Sequence, residues 1–265
     1  MRYIFVSDIH GDFEKLTRAL SAVDFDRDKD TLVSVGDAFD RGTENFKVLE
    51  FLVNLPNKIL LYGNHCLRLK KLVDRQASFD YCDWSNGTIG TIEELSELQY
   101  DLEECIDILA NQKTDGAKLL KRYFDLCHYA VEFSNLIATH AWLPTENSSY
   151  KIRDSWRNAR AKTWYEATWA HSEHAVLACL GKPKLWPEKP LLIGHWHAFR
   201  LAENCYDIPR NYHKKIQGSH NGNHVDCSEF ISNDGKLIAI DGCTTYDYGV
   251  VNTYILETDE IPSIY

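Results

Sequence analysis

Three short apolar runs, each ending in a polar cluster, constrain this chain more than any other feature. Tyr3 to Val6 leads into Ser7-Asp8-Ile9-His10-Gly11-Asp12, and Leu32 to Val35 leads into Gly36-Asp37-Ala38-Phe39-Asp40-Arg41-Gly42. Ile59 to Tyr62 leads into Gly63-Asn64-His65. Between the runs, Phe13 to Val23 and Phe46 to Leu55 are amphipathic, so the order is strand, helix, strand, helix, strand. Asp8 and Asp37 are 37 − 8 = 29 residues apart, and Asp37 and His65 are 65 − 37 = 28 apart. Both intervals are close to the roughly 30 residues of one βαβ unit. Consecutive units set their strand carboxyl ends side by side, where open α/β sheets bind ligands. The three clusters are therefore expected to meet at one sheet edge.

Leu67 to Leu126 is mostly helical, with Ile92, Leu95, Leu98, Leu102, Cys105, Ile106 and Leu109 at spacings of three and four. This predicts a helical insert over residues 67–127 within a single domain spanning 1–265. Strand patterns return at Tyr129 to Phe133 and Leu136 to Ala138, and again at Leu191 to Ile193. A tryptophan-rich helical stretch covers Ser155 to Leu180, in which Trp156, Trp164 and Trp169 are expected to be core rather than a base-stacking platform. Glu229 to Ser232 and Lys236 to Ile240 form a hairpin across Asn233-Asp234-Gly235, and Val250 to Leu256 adds a last strand.

Bulk properties narrow the function. With 265 residues, 44% of them hydrophobic, the chain can bury one sizeable core. Its formal net charge of −10 argues against a broad nucleic-acid-binding surface, so an anionic substrate must be handled locally. Eight cysteines contain no CxxC pair and read as reduced thiols. Met1-Arg2 leads straight into a strand-length run, too short for a signal core or a membrane span, so a cytoplasmic protein with no membrane partner is expected.

The clusters themselves carry the chemistry. Asp, His and Asn side chains are the donors expected around borderline-to-hard divalent ions such as Mn, Fe, Zn or Mg, and one carboxylate can bridge two of them. Glycines before Asp37 and Asn64 let the backbone turn away from the strand end. Thr139-His140-Ala141 and Gly194-His195-Trp196-His197 also follow strand-like runs and bring further imidazoles to the same edge. His213, His220, His224 and Cys227 lie in a Gly- and Asn-rich stretch and read as loop punctuation rather than a zinc site.

As a set, Asp8-Ile9-His10, Gly36-Asp37 through Asp40-Arg41-Gly42, Gly63-Asn64-His65, Thr139-His140 and Gly194-His195 resemble the calcineurin-like metallophosphoesterases. The Asp-Arg-Gly ending is similar to the phosphoprotein-phosphatase superfamily. Trp84-Ser85-Asn86-Gly87-Thr88 and Ile240-Asp241-Gly242-Cys243 resemble segments of its bacterial members, which include protein phosphatases and diadenosine tetraphosphatases. Cys66 departs from the pattern, because an acid usually follows Gly-Asn-His.

The resemblance implies an α/β fold, a β-sandwich flanked by helices. It also implies two divalent ions, with manganese the first expectation. Metal one would be held by Asp8, His10 and Asp37, and metal two by Asp37, Asn64, His140 and His195. His197 is a further metal candidate, since the second histidine of Gly-His-x-His joins the first ion in many relatives. The implied reaction is attack of a metal-bridging hydroxide on a phosphate ester. Arg41 would grip phosphate oxygens, with Asn64 and Arg157 as further substrate contacts and Arg153 and Arg160 as rivals of Arg157. His65, oriented by Asp40, would protonate the leaving group. Asn64 and His65 are expected on an extended segment that points their side chains apart. The first expectation is a Ser/Thr protein phosphatase-like enzyme acting on a phosphorylated protein or a small phosphate ester. A dinucleoside polyphosphate hydrolase is the alternative, and the intact ligand set argues against a catalytically dead binding module.

Overall fold

Alternate residues of the apolar runs face opposite ways, and both faces are covered. The structure is a computed structural model that describes residues 1–146, 150–179, 187–204, 218–220, 223–225, 227–232 and 234–265. The first half contains β1 (Arg2–Val6), α1 (Phe13–Ala22), β2 (Thr31–Ser34), α2 (Asn45–Asn54), β3 (Lys58–Leu61) and α3 (Asn64–Val73). Then come α4 (Tyr81–Ser85), α5 (Thr88–Ser96), α6 (Leu102–Ala110), α7 (Asp115–Leu126) and β4 (Cys127–His128). The second half contains β5 (Ala130–Glu132), β6 (Ile137–Thr139), a 3-10 turn (Trp156–Asn158), α8 (Ala161–Thr168), α9 (Glu173–Cys179), β7 (Leu191–Ile193) and α10 (Ala198–Asn204). It closes with β8 (Gly218–His220), β9 (Asn223–Val225), β10 (Phe230–Ile231), β11 (Leu237–Ala239), β12 (Thr253–Glu257) and β13 (Ser263–Ile264).

One sheet runs β12-β1-β2-β3-β4 and a second runs β10-β11-β7-β6-β5-β13. In the first, β1, β2 and β3 are parallel, with Val6 opposite Ser34 and Ser34 opposite Leu60, so their carboxyl ends finish in line. In the second, β6, β7 and β11 are also parallel, pairing Ala138 with Leu192 and Ala239 with Ile193. Tyr3, Phe5, Val33, Val35, Ile59 and Leu61 of one sheet meet Val131, Ala138, Leu192 and Ile238 of the other in a buried layer. The intervening residues Ile4, Val6, Leu32 and Leu60 pack on α1, α2 and the helices after β3. Ala130, Ile137, Leu191, Ile193, Leu237 and Ala239 pack on the tryptophan-rich segment. Helix, sheet, sheet, helix is the resulting order of layers.

The helical stretch differs from expectation at its start. Position 67 falls inside α3, which already begins at Asn64, and β4 returns the chain to the first sheet beside β3. Ile92, Leu95, Ile106, Leu109, Leu120 and Tyr123 share one buried cluster with Leu16, Leu49 and Leu52, so the inserted helices complete the core of α1 and α2. The hairpin of β10 and β11 forms as expected, pairing Phe230 with Ala239, while Asn233 lies outside the described residues. Two-residue strands such as β4 and β13 left no pattern in the sequence long enough to read.

Candidate active site

Each strand end delivers one or more side chains, and the backbone after it bends sharply. Asp8, His10, Asp37, Asp40, Arg41 and His195 all have left-handed backbone angles, with φ between 46° and 76°. That region is costly for residues with a Cβ and tends to be retained where function requires it. Gly36 is left-handed as well, at φ 93°, and a Cβ there would lie 2.5 Å from His140 Nδ1. Gly63 is needed for a different reason than the turn expected from sequence. Its φ of −100° suits any residue, but a Cβ would fall 2.0 Å from Asp37 Oδ1.

The side chains converge. Asp37 sits between two groups whose ligand atoms all lie within 4.8 Å of one another: His10 with His65, and His140 with His195. Asp37 Oδ2 is 3.3 Å from His140 Nε2 and 4.0 Å from His65 Nε2. His10 Nδ1 donates to Phe39 O at 3.0 Å and His140 Nδ1 donates to Val35 O at 2.9 Å, which turns both Nε2 atoms inward. His140 Nε2 is 2.9 Å from Asn64 Oδ1, and Asp8 Oδ1 is 4.0 Å from His10 Nε2. Asp8 Oδ2 accepts from the Ser7 hydroxyl at 2.5 Å and from the His195 amide at 2.9 Å.

Burial and charge set the protonation states. Burial drives His10 well below the ordinary imidazole pKa, helped by the charges of His65 and Arg41. It likewise lowers His195 to about 3, with His140 adding to the effect. His140 is pushed the other way: burial opposes its charge, but Asp37, Asp8 and the bond to Val35 O together outweigh burial and raise it to about 9. Asp37 resists burial through His140 and His65 and stays well below the usual carboxylate value. Two neutral imidazoles, an ionised carboxylate shared by both groups, and inward Nε2 atoms fit a pair of divalent cations. The donor set is nitrogen and oxygen throughout, which suits Mn, Fe, Zn or Mg.

Beside these donors stands a second constellation. His65 Nδ1 donates to Asp40 Oδ2 at 2.8 Å, and Thr88 and Thr91 donate to Asp40 Oδ2 and Oδ1 at 2.6 and 2.8 Å. Burial disfavours protonated His65, but Asp37 and the bond to Asp40 overcome it and raise its pKa. Arg41 donates from Nη1 to His10 Nε2 at 3.1 Å and from Nη2 to His65 Nε2 at 3.2 Å. Asp8, His10, Asp37, Arg41, Asn64, His65 and His195 border one cavity of about 210 Å³, together with Asn86, Trp169, His197 and Asp241.

Several sequence expectations need correction. Asn64 and His65 are the first residues of α3, not part of an extended segment, so helical rotation separates their side chains. Arg157 is not brought to the cavity. It makes a two-pronged pair with Glu132 at 2.7 and 2.6 Å and lies over the Trp156 ring. Glu132 pairs with Ile137 at the beginning of β6, whereas His140 follows its end, so this arginine is held at the opposite end of the sheet. Trp156 and Trp164 are core, 4% and 2% exposed, but Trp169 is 39% exposed and borders the cavity. His197 lies with Asp241 and Cys243. Cys66 is fully buried and 3.5 Å from the Tyr123 hydroxyl, a packing role that leaves His65 to Asp40. His213 lies outside the described residues, and Cys227 is buried against Cys243 instead of standing in an open loop.

The family model of calcineurin-like phosphoesterases matches residues 1–199. The chain belongs to this family. Among relatives, a symmetrical bis(5'-nucleosyl)-tetraphosphatase from Hamiltonella defensa is 39% identical over 70 residues, 26% of this chain and 26% of its own length. A serine/threonine-protein phosphatase 2 from Salmonella typhimurium is 45% identical over 65 residues, 24% of this chain and 29% of its own. The chain thus aligns with only about a quarter of the length of these curated relatives. A solved structure of a provisionally assigned diadenosine tetraphosphatase shares the fold, with a TM-score of 0.53 at 19% identity over 99% of this chain and 93% of that one. Sequence reasoning in this calcineurin-like phosphoesterase missed Thr91 altogether. Thr88 and Asp241 fell in segments noticed only through their resemblance to bacterial members.

Proposed function

We propose that the chain is a dinuclear metal-dependent phosphatase of the Ser/Thr protein phosphatase type, hydrolysing phosphate monoesters. The observation that carries this is Asp37, an ionised carboxylate shared by two ligand groups within one cavity that also holds His65 and Arg41. Asp8, His10 and Asp37 would hold one ion, and Asp37, Asn64, His140 and His195 the other. When bound, two such ions polarise phosphoryl oxygens and acidify water.

The chain's own groups supply the rest. Arg41 presents two donors to phosphate oxygens and counters charge developing on them. Charged, His65 carries its second proton on Nε2, which ends that atom's acceptance from Arg41 Nη2 and leaves both groups to face phosphate, while Asp40 holds its Nδ1. Thr88 and Thr91 fix Asp40 from α5, so the inserted helices brace the proton donor. Asn64, beside His140, completes the wall that a phosphate would touch.

A second reading, hydrolysis of a dinucleoside polyphosphate, is favoured by Trp169, a partly exposed indole bordering the cavity, of a kind that suits a nucleobase. We take manganese as the working ion and residues 1–265 as one domain with its insert over 67–127. We place the chain in the cytoplasm, a reading supported by free thiols at Cys66, Cys82, Cys105, Cys127, Cys179, Cys227 and Cys243. Among the described residues no helix is long and apolar enough to cross a membrane. The test is a manganese-supplemented screen of phosphopeptides, 4-nitrophenyl phosphate and diadenosine tetraphosphate, before and after exhaustive chelation. Turnover of monoesters that chelation abolishes is expected. Undiminished turnover in verified metal-free protein, or turnover of the dinucleotide alone, would overturn the proposal.

A further inference from the structure

We infer that His197, Asp241 and Cys243 form a separate cation site, of the sulfur-accepting class to which zinc belongs, beside the cavity that His197 and Asp241 border. Their ligand atoms all lie within 4.8 Å of one another. His197 Nε2 and Asp241 Oδ2 are 4.0 Å apart, too far to share a hydrogen bond. Zinc bonds of roughly 2.0–2.3 Å would let one ion touch all three after shifts of less than about 1 Å. The Cys243 amide donates to Asp241 Oδ1 at 2.9 Å, which pins that carboxylate and leaves Oδ2 for the ion.

The backbone adds a second observation. Among the described residues twelve non-glycine positions have left-handed φ. Six are the active-site residues named above, and five, Asp24, Arg75, Glu97, Tyr100 and Gln112, are exposed on the surface. The twelfth is Cys243, with φ 58° and 1% exposure. A buried residue with a Cβ held in this conformation is the pattern of a functional position, and the proposed phosphatase chemistry does not use it. Cys227 packs against Cys243.

The donor set distinguishes this site from its neighbour. Thiolate with imidazole and one carboxylate selects zinc over magnesium, calcium or manganese, whereas the pair of groups around Asp37 offers no sulfur. The ion would tie the turn after β7 to the turn after β11. Those turns already share the bond from the Ala198 amide to Asp241 O at 2.9 Å.

Cobalt(II) is the probe, because thiolate ligation gives a near-ultraviolet charge-transfer band that nitrogen and oxygen donors do not. The chain, stripped of metal and reloaded with cobalt, is expected to show that band, and zinc-loaded chain a sulfur neighbour in X-ray absorption. Cys243→Ser should lose the band and one ion per chain. Asp37→Asn, which disrupts the dinuclear centre, should keep the band, so failure of the proposed function and failure of this inference are distinguishable. Should the serine variant not fold, the X-ray absorption of the unaltered chain decides alone. No sulfur neighbour, or a band that survives Cys243→Ser, would overturn the inference, and two ions held only by nitrogen and oxygen would place His197 on the dinuclear centre instead.

Discussion

His65→Asn offers the sharpest test of the proton-donor assignment, because the structure fixes both the size and the selectivity of the effect. His65 is 5% exposed and its Nε2 faces the cavity, so no bulk water replaces it as a donor without rearrangement. Loss of a general acid costs about 10²- to 10⁴-fold, or about 2.7–5.4 kcal/mol of transition-state stabilisation. An alkoxide leaving from phosphoserine needs that proton, whereas 4-nitrophenolate is stable without it. The loss in kcat/KM should therefore appear on a phosphopeptide and largely vanish on 4-nitrophenyl phosphate. Asp40→Asn should do less. It turns a charge-assisted bond to His65 into a neutral one, a difference of about 1–1.5 kcal/mol, or about fivefold to tenfold. It should also move the alkaline limb of the pH profile. Burial, Asp37 and Asp40 together leave the His65 pKa raised, so the acid form is present at low pH and lost as pH rises through that value. Removing the Asp40 charge lowers it, and the limb shifts to lower pH. Steady-state profiles on both substrates, with metal content measured in parallel, check all three statements. Equal losses on the two substrates would refute the acid role. A missing ion in His65→Asn would instead make His65 a ligand, as its place beside His10 and Asp37 permits.

Asp37→Asn should reduce bound metal to one ion or none per chain by elemental analysis and collapse turnover, since one charge is removed from both ligand groups. Arg41→Ala should weaken inhibition by inorganic phosphate along with turnover, measured as a rise in the inhibition constant, because a bidentate charged contact is lost. Thr91→Val should lower stability by about 1.5–3 kcal/mol in denaturant titrations, because it deprives the buried Asp40 carboxylate of a donor without opening a cavity.

What the sequence disclosed, it disclosed through periodicity. Strands four or five residues long at intervals near 30 are visible, and their register forces Asp8, Asp37 and Asn64 to one edge. Contacts made across long separations left no such mark. Thr88 and Thr91 reach Asp40 over 48 and 51 residues; only a family resemblance marks the segment of Thr88, and nothing local distinguishes Thr91 from other helical threonines. Arg157 was misplaced for the related reason that a local motif cannot show that Glu132 waits 25 residues upstream to take its charge. Trp169 follows Trp156 and Trp164 in the sequence, but it lies just past the end of α8, where the chain opens toward the cavity.

The left-handed backbone at six active-site positions has a consequence for how this chain can evolve. At about 1–2 kcal/mol for each residue with a Cβ, less for aspartate, the strained turns weigh against a folding margin of about 5–15 kcal/mol. Glycine would relieve that strain at any of them, offset in part by the extra freedom it gives the unfolded chain. Substitutions that inactivate the site are thus among those best placed to stabilise the fold. A descendant of this chain released from selection for catalysis should drift toward glycine at these positions, Arg41 first, shedding strain as it loses its site.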